Sequence, residues 1–204
     1  TGNLAAALAL LCALGLVWYS TPVFKPSIVI LALVVGGSVG WLVAARVGMI
    51  QVPAMVAFQH GAGGIAAFLT SALELTRGHG DIALVGQWSG ILGVVIGAAT
   101  FSGSMVASAK LAGVMRQTPA VLPKHNLLLA AILAAIVALG VLAAIAAGAA
   151  QLYGLLAMIL LSVLLGAVFA VRVGGADMPV LISFLNATAG LAAAFCGIII
   201  QNRL

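Results

Sequence analysis

Residues 126–171 read NLLLAAILAAIVALGVLAAIAAGAAQLYGLLAMILLSVLLGAVFAV, a stretch without a single Asp, Glu, Lys, Arg or His. Folded as one helix, these 46 residues would extend about 69 Å at about 1.5 Å per residue. The hydrocarbon core of a bilayer is only about 30 Å thick. The stretch therefore predicts two membrane-spanning helices joined by a turn.

The whole chain is likewise hydrophobic and poor in charged residues. Its 204 residues include eight Lys and Arg and three Asp and Glu, 65% are hydrophobic, and the mean hydropathy is +1.33. Soluble domains carry about 25% charged residues, which excludes that class for a chain with 5%. The net charge of +5 is spread thinly, so no basic patch indicates nucleic acid as a partner.

The uncharged runs divide the chain into about seven hydrophobic segments, each long enough for a transmembrane helix. They predict an all-α integral membrane protein, a bundle of about seven transmembrane helices. We expect these helices at about 3–20, 27–46, 52–76, 83–112, 126–148, 151–172 and 178–201. The chain begins at Thr1, without a basic leader, and stops where the last helix would leave the membrane. We therefore expect a fragment of a larger transmembrane domain.

The basic residues predict the orientation of the bundle. With loops on alternating sides, one side carries five of them: Arg46, Lys110, Arg116, Lys124 and Arg172. The other side carries three basic and two acidic residues: Lys25, Arg77, Arg203, Glu74 and Asp81. Because cytoplasmic loops hold an excess of Lys and Arg, we expect the first side to face the cytoplasm.

Three polar residues inside the predicted helices are expected to lie at one depth. His60 and Asn186 each follow eight residues after the cytoplasmic start of a helix, about 12 Å in, and Ser104 lies about 9 Å from the same face. Polar side chains inside a bilayer are costly, and histidine ordinarily titrates nearest neutral pH. His60 alone could be a hydrogen-bonded structural histidine and Ser104 a packing residue. Their shared depth favours a functional interpretation.

Asp177 is the only acid at the predicted cytoplasmic ends, within the segment GGADMP. A carboxylate there could cap the N-terminus of the last helix, where negative charge is favoured. Capping does not exclude a further role. By contrast, the G-x-G-x-x-A pattern of residues 61–66 lies inside a predicted helix without a preceding strand, so we expect no nucleotide site there.

Three ordered segments resemble the beta subunit of proton-translocating nicotinamide nucleotide transhydrogenases. GGADMPVLISFLNATAG (174–190) resembles the family's GGADMPVVISxLNSYSG. VPAMVAFQHGAGGIAA (52–67) resembles MPELVAxxHSxxGLAA, and ATFSGSMVASAKLAG (99–113) resembles VTFTGSVVAFGKLxG. The chain departs from the family at Ala187-Thr188-Ala189, which often reads Ser-Tyr-Ser, and at Gln51-Val52-Pro53, where the family has an acidic Glu-Met-Pro.

The resemblance implies a membrane domain that carries protons while hydride passes from NADH to NADP⁺ in soluble domains. The family's channel histidine, serine and asparagine match His60, Ser104 and Asn186. Its aspartate at the cytoplasmic mouth, beside the NADP(H)-binding domain, matches Asp177. Arg172 lies at the same helix ends and is expected to take part with Asp177 in coupling to that domain.

The resemblance also implies the setting of the chain. Partners would be the lipid bilayer, the alpha subunit and the NADP(H)-binding domain, in a homodimeric enzyme of a bacterial inner membrane rather than a mitochondrial one. NADP(H) and NAD(H) would serve the complete enzyme, whereas this fragment is expected to bind no cofactor or metal and to be catalytically silent. Two other functions stay open: a secondary transporter or channel for a small solute, and a structural helical subunit of a membrane complex.

Overall fold

The computed structural model describes residues 2–20, 26–77, 84–146 and 148–201. All regular structure in this part of the chain is helical. The α-helices are α1 (Gly2–Ser20), α2 (Pro26–Arg46), α3 (Val52–Thr76), α4 (Leu84–Leu111), α5 (His125–Ile145), α6 (Ala149–Val171) and α7 (Met178–Gln201). Short 3₁₀ turns, Met49–Gln51 and Gly175–Asp177, precede α3 and α7. The prediction of an all-α protein with seven helices is confirmed.

The helix ends lie close to the predicted ones. The largest difference is at the end of α5, which was expected at residue 148 and lies at Ile145. Six of the described helices are long and apolar enough to cross a membrane. In α1 the apolar run Ala7–Leu16 is shorter than such a span.

The described residues fall into two compact units, residues 1–48 and 49–204. The first unit contains α1 and α2, whose described side chains are mostly exposed. Mostly exposed apolar side chains are expected of helices that face lipid, since lipid is as apolar as they are. The second unit contains the remaining helices and the core.

Helix α4 is the centre of the second unit, because it packs against α3, α6 and α7. Small residues dominate its buried face, which lets neighbouring backbones approach closely. Two clusters of buried apolar side chains pack against α4, one before and one after the middle of the helix. One cluster surrounds Val94, Met158 and Ile199, and the other surrounds Ala107, Met178 and Leu185.

A close helix contact joins α3 and α4 through two glycines. A Cβ atom added to Gly64 would lie 2.7 Å from the carbonyl oxygen of Gly97 and 2.8 Å from the backbone nitrogen of Phe101. A Cβ atom added to Gly97 would lie 2.9 Å from the carbonyl oxygen of Gly64. Gly166 of α6 approaches the carbonyl of Ala99 in the same way. These positions admit no side chain without moving a backbone.

Of the charged residues predicted on the non-cytoplasmic side, only Glu74 and Arg77 are among the residues that the structure describes. Glu74 and Arg77 form an ion pair with an N–O distance of 2.7 Å at the end of α3. Glu74 is almost fully buried. Lys25, Asp81 and Arg203 lie outside the described residues.

Replacement of Gly64 by alanine should destabilise the protein, whereas the same replacement at Gly63 should not. Gly63, one residue away in α3, has no atom within 4 Å of its added Cβ. Overpacking at Gly64 should cost about 1–3 kcal/mol. Alanine at Gly63 should be neutral or gain up to about 1 kcal/mol from its better helix propensity. Thermal unfolding of the full-length protein in detergent measures both, and equal melting temperatures for the two variants would contradict the packing described above.

Candidate functional site

Contacts between α3 and α4 bring Ser104 next to the residue that follows His60. A Cβ atom added to Gly61 would lie 3.3 Å from the Ser104 Cβ atom and 3.4 Å from the Phe101 carbonyl oxygen. Further towards the same helix ends, the Ser108 hydroxyl donates a hydrogen bond of 2.9 Å to the carbonyl oxygen of Ala54. The two helices are therefore antiparallel, with His60 and Ser104 at one level.

Contacts between α4 and α7 bring Asn186 to that level as well. A Cβ atom added to Gly103 would lie 3.2 Å from Cδ2 of Leu185, the residue before Asn186. One turn away, the hydroxyl of Thr100 donates to the hydroxyl of Thr188 at 3.0 Å. The register of three helices thus places a histidine, a serine and an asparagine in one layer.

The three side chains have different surroundings. Ser104 is fully buried, and its hydroxyl has no hydrogen-bond partner among the described residues. His60 is half-buried and Asn186 is exposed. Within the described part of the chain no hydrogen bond joins them. A buried hydroxyl without a partner is rare, and it marks a position where a water molecule or another polar group is expected.

Asp177 and Arg172 lie at the ends of the helices on the side where α4 ends. Asp177 ends the 3₁₀ turn before α7 and is exposed. Arg172 follows α6 and donates from a guanidinium nitrogen to the Asn126 side-chain oxygen at 3.0 Å. Among the described residues these two oppositely charged side chains form no ion pair. Each is available to a partner outside this chain.

Lys110 is the functional candidate that sequence analysis missed. It was expected only as one of the basic residues that mark the cytoplasmic side, at the end of the predicted helix 83–112, but in the last turn of α4 it is only 1% exposed. Its ammonium group donates to the carbonyl oxygens of Val171 at 2.6 Å and Val173 at 2.8 Å. These carbonyls lie at the C-terminal end of α6, where the helix dipole favours a positive charge. Through these hydrogen bonds, Lys110 connects the end of α4 to the segment just before Asp177.

Backbone contacts hold the same turn from the other side. The amide of Ala120 donates to the carbonyl of Val171 at 3.0 Å, and the amide of Gly175 donates to the carbonyl of Gln117 at 2.9 Å. A Cβ atom added to Gly174 would lie 2.9 Å from the Pro119 ring. The loop between α4 and α5 and the turn between α6 and α7 thus form one bonded assembly around the segment GGAD.

The G-x-G-x-x-A pattern lies inside a helix. Residues 61–66 belong to α3, where Gly61 of the pattern and the neighbouring Gly64 pack against α4, whereas Gly63, the second glycine of the pattern, has no atom within 4 Å of an added Cβ. A dinucleotide needs these glycines in a turn at a helix N-terminus, with their backbone open to the pyrophosphate. The residues present do not fit a nucleotide at this place.

Comparisons with known proteins identify one family. A family model described as NAD(P) transhydrogenase beta subunit matches residues 1–204. The NAD(P) transhydrogenase subunit beta of Rhodospirillum rubrum is 34% identical over 197 residues, which cover 90% of this chain and 42% of that relative. A second Rhodospirillum rubrum sequence of the same name gives the same values. The chain therefore spans less than half the length of these curated relatives.

Removal of the Lys110 ammonium group should loosen the turn that carries Asp177. In a Lys110→Met variant of the full-length protein, the Val173 carbonyl loses the ammonium donor and the Val171 carbonyl keeps only the Ala120 amide, which should cost about 1–3 kcal/mol. Amide hydrogen exchange should become faster in residues 173–177. Arg116→Gln is the matched control, since it removes an exposed positive charge from the adjoining loop. Equal exchange in the two variants would show that Lys110 does not hold the turn.

Proposed function

The chain belongs to the NAD(P) transhydrogenase beta-subunit family, and on that basis we propose that it forms the part of the enzyme through which protons cross the membrane. In the complete enzyme this passage would be coupled to hydride transfer from NADH to NADP⁺. The chain spans 42% of the length of its Rhodospirillum rubrum relatives. We assign the nucleotides, NAD(H) and NADP(H), to the alpha subunit and to an NADP(H)-binding domain outside this chain.

The proposal rests above all on the layer that holds His60, Ser104 and Asn186. A hydroxyl both donates and accepts hydrogen bonds, and an imidazole can take a proton on one nitrogen and release it from the other. Water molecules between the three side chains would complete a hydrogen-bonded path, because each water needs two to four polar partners. The buried, unpartnered hydroxyl of Ser104 supports such a path.

The environment of His60 favours a role in proton transfer over packing. A structural histidine within a membrane bundle is expected to hydrogen-bond to a neighbouring group, because an unsatisfied polar side chain is costly there. Within the described residues the imidazole of His60 makes no such bond. A wetted path would supply the imidazole with hydrogen-bond partners.

We propose that α4 transmits the protonation state of this layer to the nucleotide domain. Ser104 and Lys110 are separated by six residues of one helix, about 9 Å along its axis. Lys110 is bonded directly to the carbonyls on either side of Arg172, just before Asp177. A displacement of α4 would therefore move the turn on which an NADP(H)-binding domain could dock. Linkage requires that nucleotide binding at that domain act back on the proton site.

We propose that the complete enzyme is a homodimer that also contains the alpha subunit. Its location would be the plasma membrane of a bacterium, since the relatives described above come from the bacterium Rhodospirillum rubrum. The half-buried side chain of His60 and the exposed side chain of Asn186 would then contact water or further helices of the assembly rather than lipid.

Replacement of His60 tests the proton path. In the complete enzyme reconstituted in liposomes, His60→Asn should lower proton pumping and the coupled hydride transfer by about 10²-fold, since a positioned proton-transfer group contributes at least that much. His60→Lys, with a fixed charge, should hold the NADP(H) domain in one nucleotide state. Dye quenching reports pumping, and Gln59→Ala on the adjacent exposed position is the control. Wild-type pumping by an assembled His60→Asn enzyme would mean that protons take another route.

Replacement of Asp177 separates capping from coupling. If the carboxylate only caps α7, Asp177→Asn should cost about 1 kcal/mol or less of stability and leave nucleotide binding unchanged. We expect instead that it changes the affinity for NADP(H) in the complete enzyme, with little change in melting temperature. Asp177→Glu keeps the charge and should restore most of the affinity. Unchanged NADP(H) affinity and turnover in Asp177→Asn would show that Asp177 only caps α7.

A further inference from the structure

A second group of buried polar side chains lies where α3 ends and α4 begins, away from the layer that contains His60. Its members, which we call the far cluster, are Ser71, Glu74 and Ser89, with exposures of 0%, 7% and 5%. Glu74 lies 14 residues beyond His60 on α3, which is about 21 Å along the helix axis. Both helices are long and apolar enough to cross a membrane, and polar side chains buried in such helices are costly and mark functional sites.

Contacts between α3 and α4 bring the far cluster together within about one helix turn. A Cβ atom added to Gly93 of α4 would lie 2.5 Å from Oγ of Ser71. A Cβ atom added to Gly90 would lie 3.0 Å from Cγ of Leu75. The residues directly before Gly90 and Leu75 are the second serine and the acid of the cluster. The three side chains are therefore contributed by two packed helices at one end of the bundle.

Ser71 carries a hydroxyl group without a partner. Its Oγ atom is buried and makes no hydrogen bond among the described residues. A helical serine can bond to the carbonyl one turn earlier, as Ser162 does to Met158 at 2.7 Å. A buried polar atom without a partner is rare and marks a position for water or another polar group. Glu74 is three residues further along α3, so it lies on the same side of the helix.

Glu74 occupies a position that is unfavourable for a purely structural carboxylate. It lies in the last turn of α3, where the helix dipole disfavours negative charge. Its burial adds a desolvation cost. Its ion-pair partner Arg77, at an N–O distance of 2.7 Å, is more than half exposed, and ion pairs with water access add little stability. Stability therefore does not explain an acid at this place.

Few other titratable groups face the far cluster. On α7, the backbone nitrogen of Cys196 is 3.6 Å from the Cβ atom added to Gly93. On α6, the Gln151 amide donates to the Leu75 carbonyl oxygen at 3.4 Å. The described residues of α4, α5 and α6 at this end include no Asp, Glu, Lys, Arg or His. Residues 78–83, which contain a histidine and an aspartate, lie outside the described part of the chain.

We propose that Glu74 is the group through which protons enter or leave the membrane domain at the end opposite Asp177. The inference rests on the proposed proton path, whose polar layer lies about 12 Å from one end of the helices. Because the hydrocarbon core is about 30 Å thick, the path needs a further polar group near the other end. The Glu74 carboxylate takes a proton from water beyond the helix ends, and the resulting acid donates it towards the Ser71 hydroxyl. That hydroxyl accepts a proton on its oxygen and releases its own, and the reverse order carries a proton outward.

Paired variants of the complete enzyme in liposomes separate proton exchange from ion pairing. Glu74→Gln removes the titratable group and should lower pumping and coupled hydride transfer by about 10²-fold. Glu74→Asp keeps a carboxyl group and should restore part of both rates. Arg77→Gln keeps the acid and should retain pumping, although it should lower the melting temperature more, since a buried charge loses its partner. Pumping impaired equally in Arg77→Gln and Glu74→Gln would reduce Glu74 to an ion-pair partner and overturn the proposal.

Removal of the Ser71 hydroxyl gives a second, independent measurement. Ser71→Ala deletes a buried hydroxyl that has no partner, so the melting temperature should stay the same or rise. Pumping should nevertheless become slower, because the group that exchanges protons with Glu74 is lost. A packing role for the hydroxyl predicts the opposite result, a lower melting temperature with unchanged pumping.

Chemical labelling tests the access of protons to Glu74 without requiring turnover. A hydrophobic carbodiimide adds to protonated carboxyl groups, and mass spectrometry of the digested enzyme measures the labelled fraction of Glu74. In liposomes that hold the enzyme in one orientation, labelling should rise when the pH is lowered on the side of Arg77. It should not change when the pH is lowered on the side of Asp177. Labelling that follows only the pH on the Asp177 side, or the pH on neither side, would contradict the proposal.

Comparison with His60→Asn keeps this inference separate from the proposed function. Lost pumping in His60→Asn beside wild-type pumping in Glu74→Gln would overturn the role of Glu74 and leave His60 in the path. Lost pumping in Glu74→Gln beside wild-type pumping in His60→Asn would support Glu74 and remove His60 from the path.

Discussion

The close approach of α3 and α4 at Gly64 and Gly97 is the contact on which the rest of the second unit depends. In a bilayer no hydrophobic force drives apolar helices together, so van der Waals contact between backbones has to hold them. Each glycine packs against the carbonyl oxygen of the other, which leaves one register for the pair. That register puts Ser104 beside Gly61 and hence level with His60.

Helix α4 then connects this layer to the turn that precedes α7. Its buried face contacts α3, α6 and α7, so it cannot shift without moving three neighbours. At its end, Lys110 is bonded to two carbonyls of the chain after α6. A rigid helix that carries Ser104 of the polar layer and, six residues further on, a bonded lysine would be a direct mechanical link. No chain of loosely packed side chains is needed to join the site to the segment before Asp177.

The helices could be predicted from composition because a bilayer offers the backbone no hydrogen-bond partners except its own. Depth along the helices followed from the rise per residue, which is why His60, Ser104 and Asn186 were expected at one level. Rotation about each helix axis could not be predicted, because these helices are apolar on nearly all faces. The sequence therefore did not distinguish the buried Ser104 from the exposed Asn186.

The burial of Lys110 could not be predicted from the sequence for a related reason. A lysine in the last turn of a membrane helix usually extends its ammonium group into water, and only the tertiary contact with the end of α6 shows that this one does not. Ser71 was equally undistinguished in the sequence. It became noticeable through an atom without a partner, which is a property of the packed structure alone.

The bond between Lys110 and α6 has a consequence for biogenesis. The acceptors of the Lys110 ammonium group are 61 and 63 residues further along the chain, so they do not exist when α4 leaves the ribosome. Until then the ammonium group has to remain at the water interface, and α4 has to sit shallower or tilted. Arrival of α6 allows the lysine to be withdrawn from water. The order of synthesis therefore sets the order of maturation, with the central helix reaching its final depth only after its later neighbour is in the membrane.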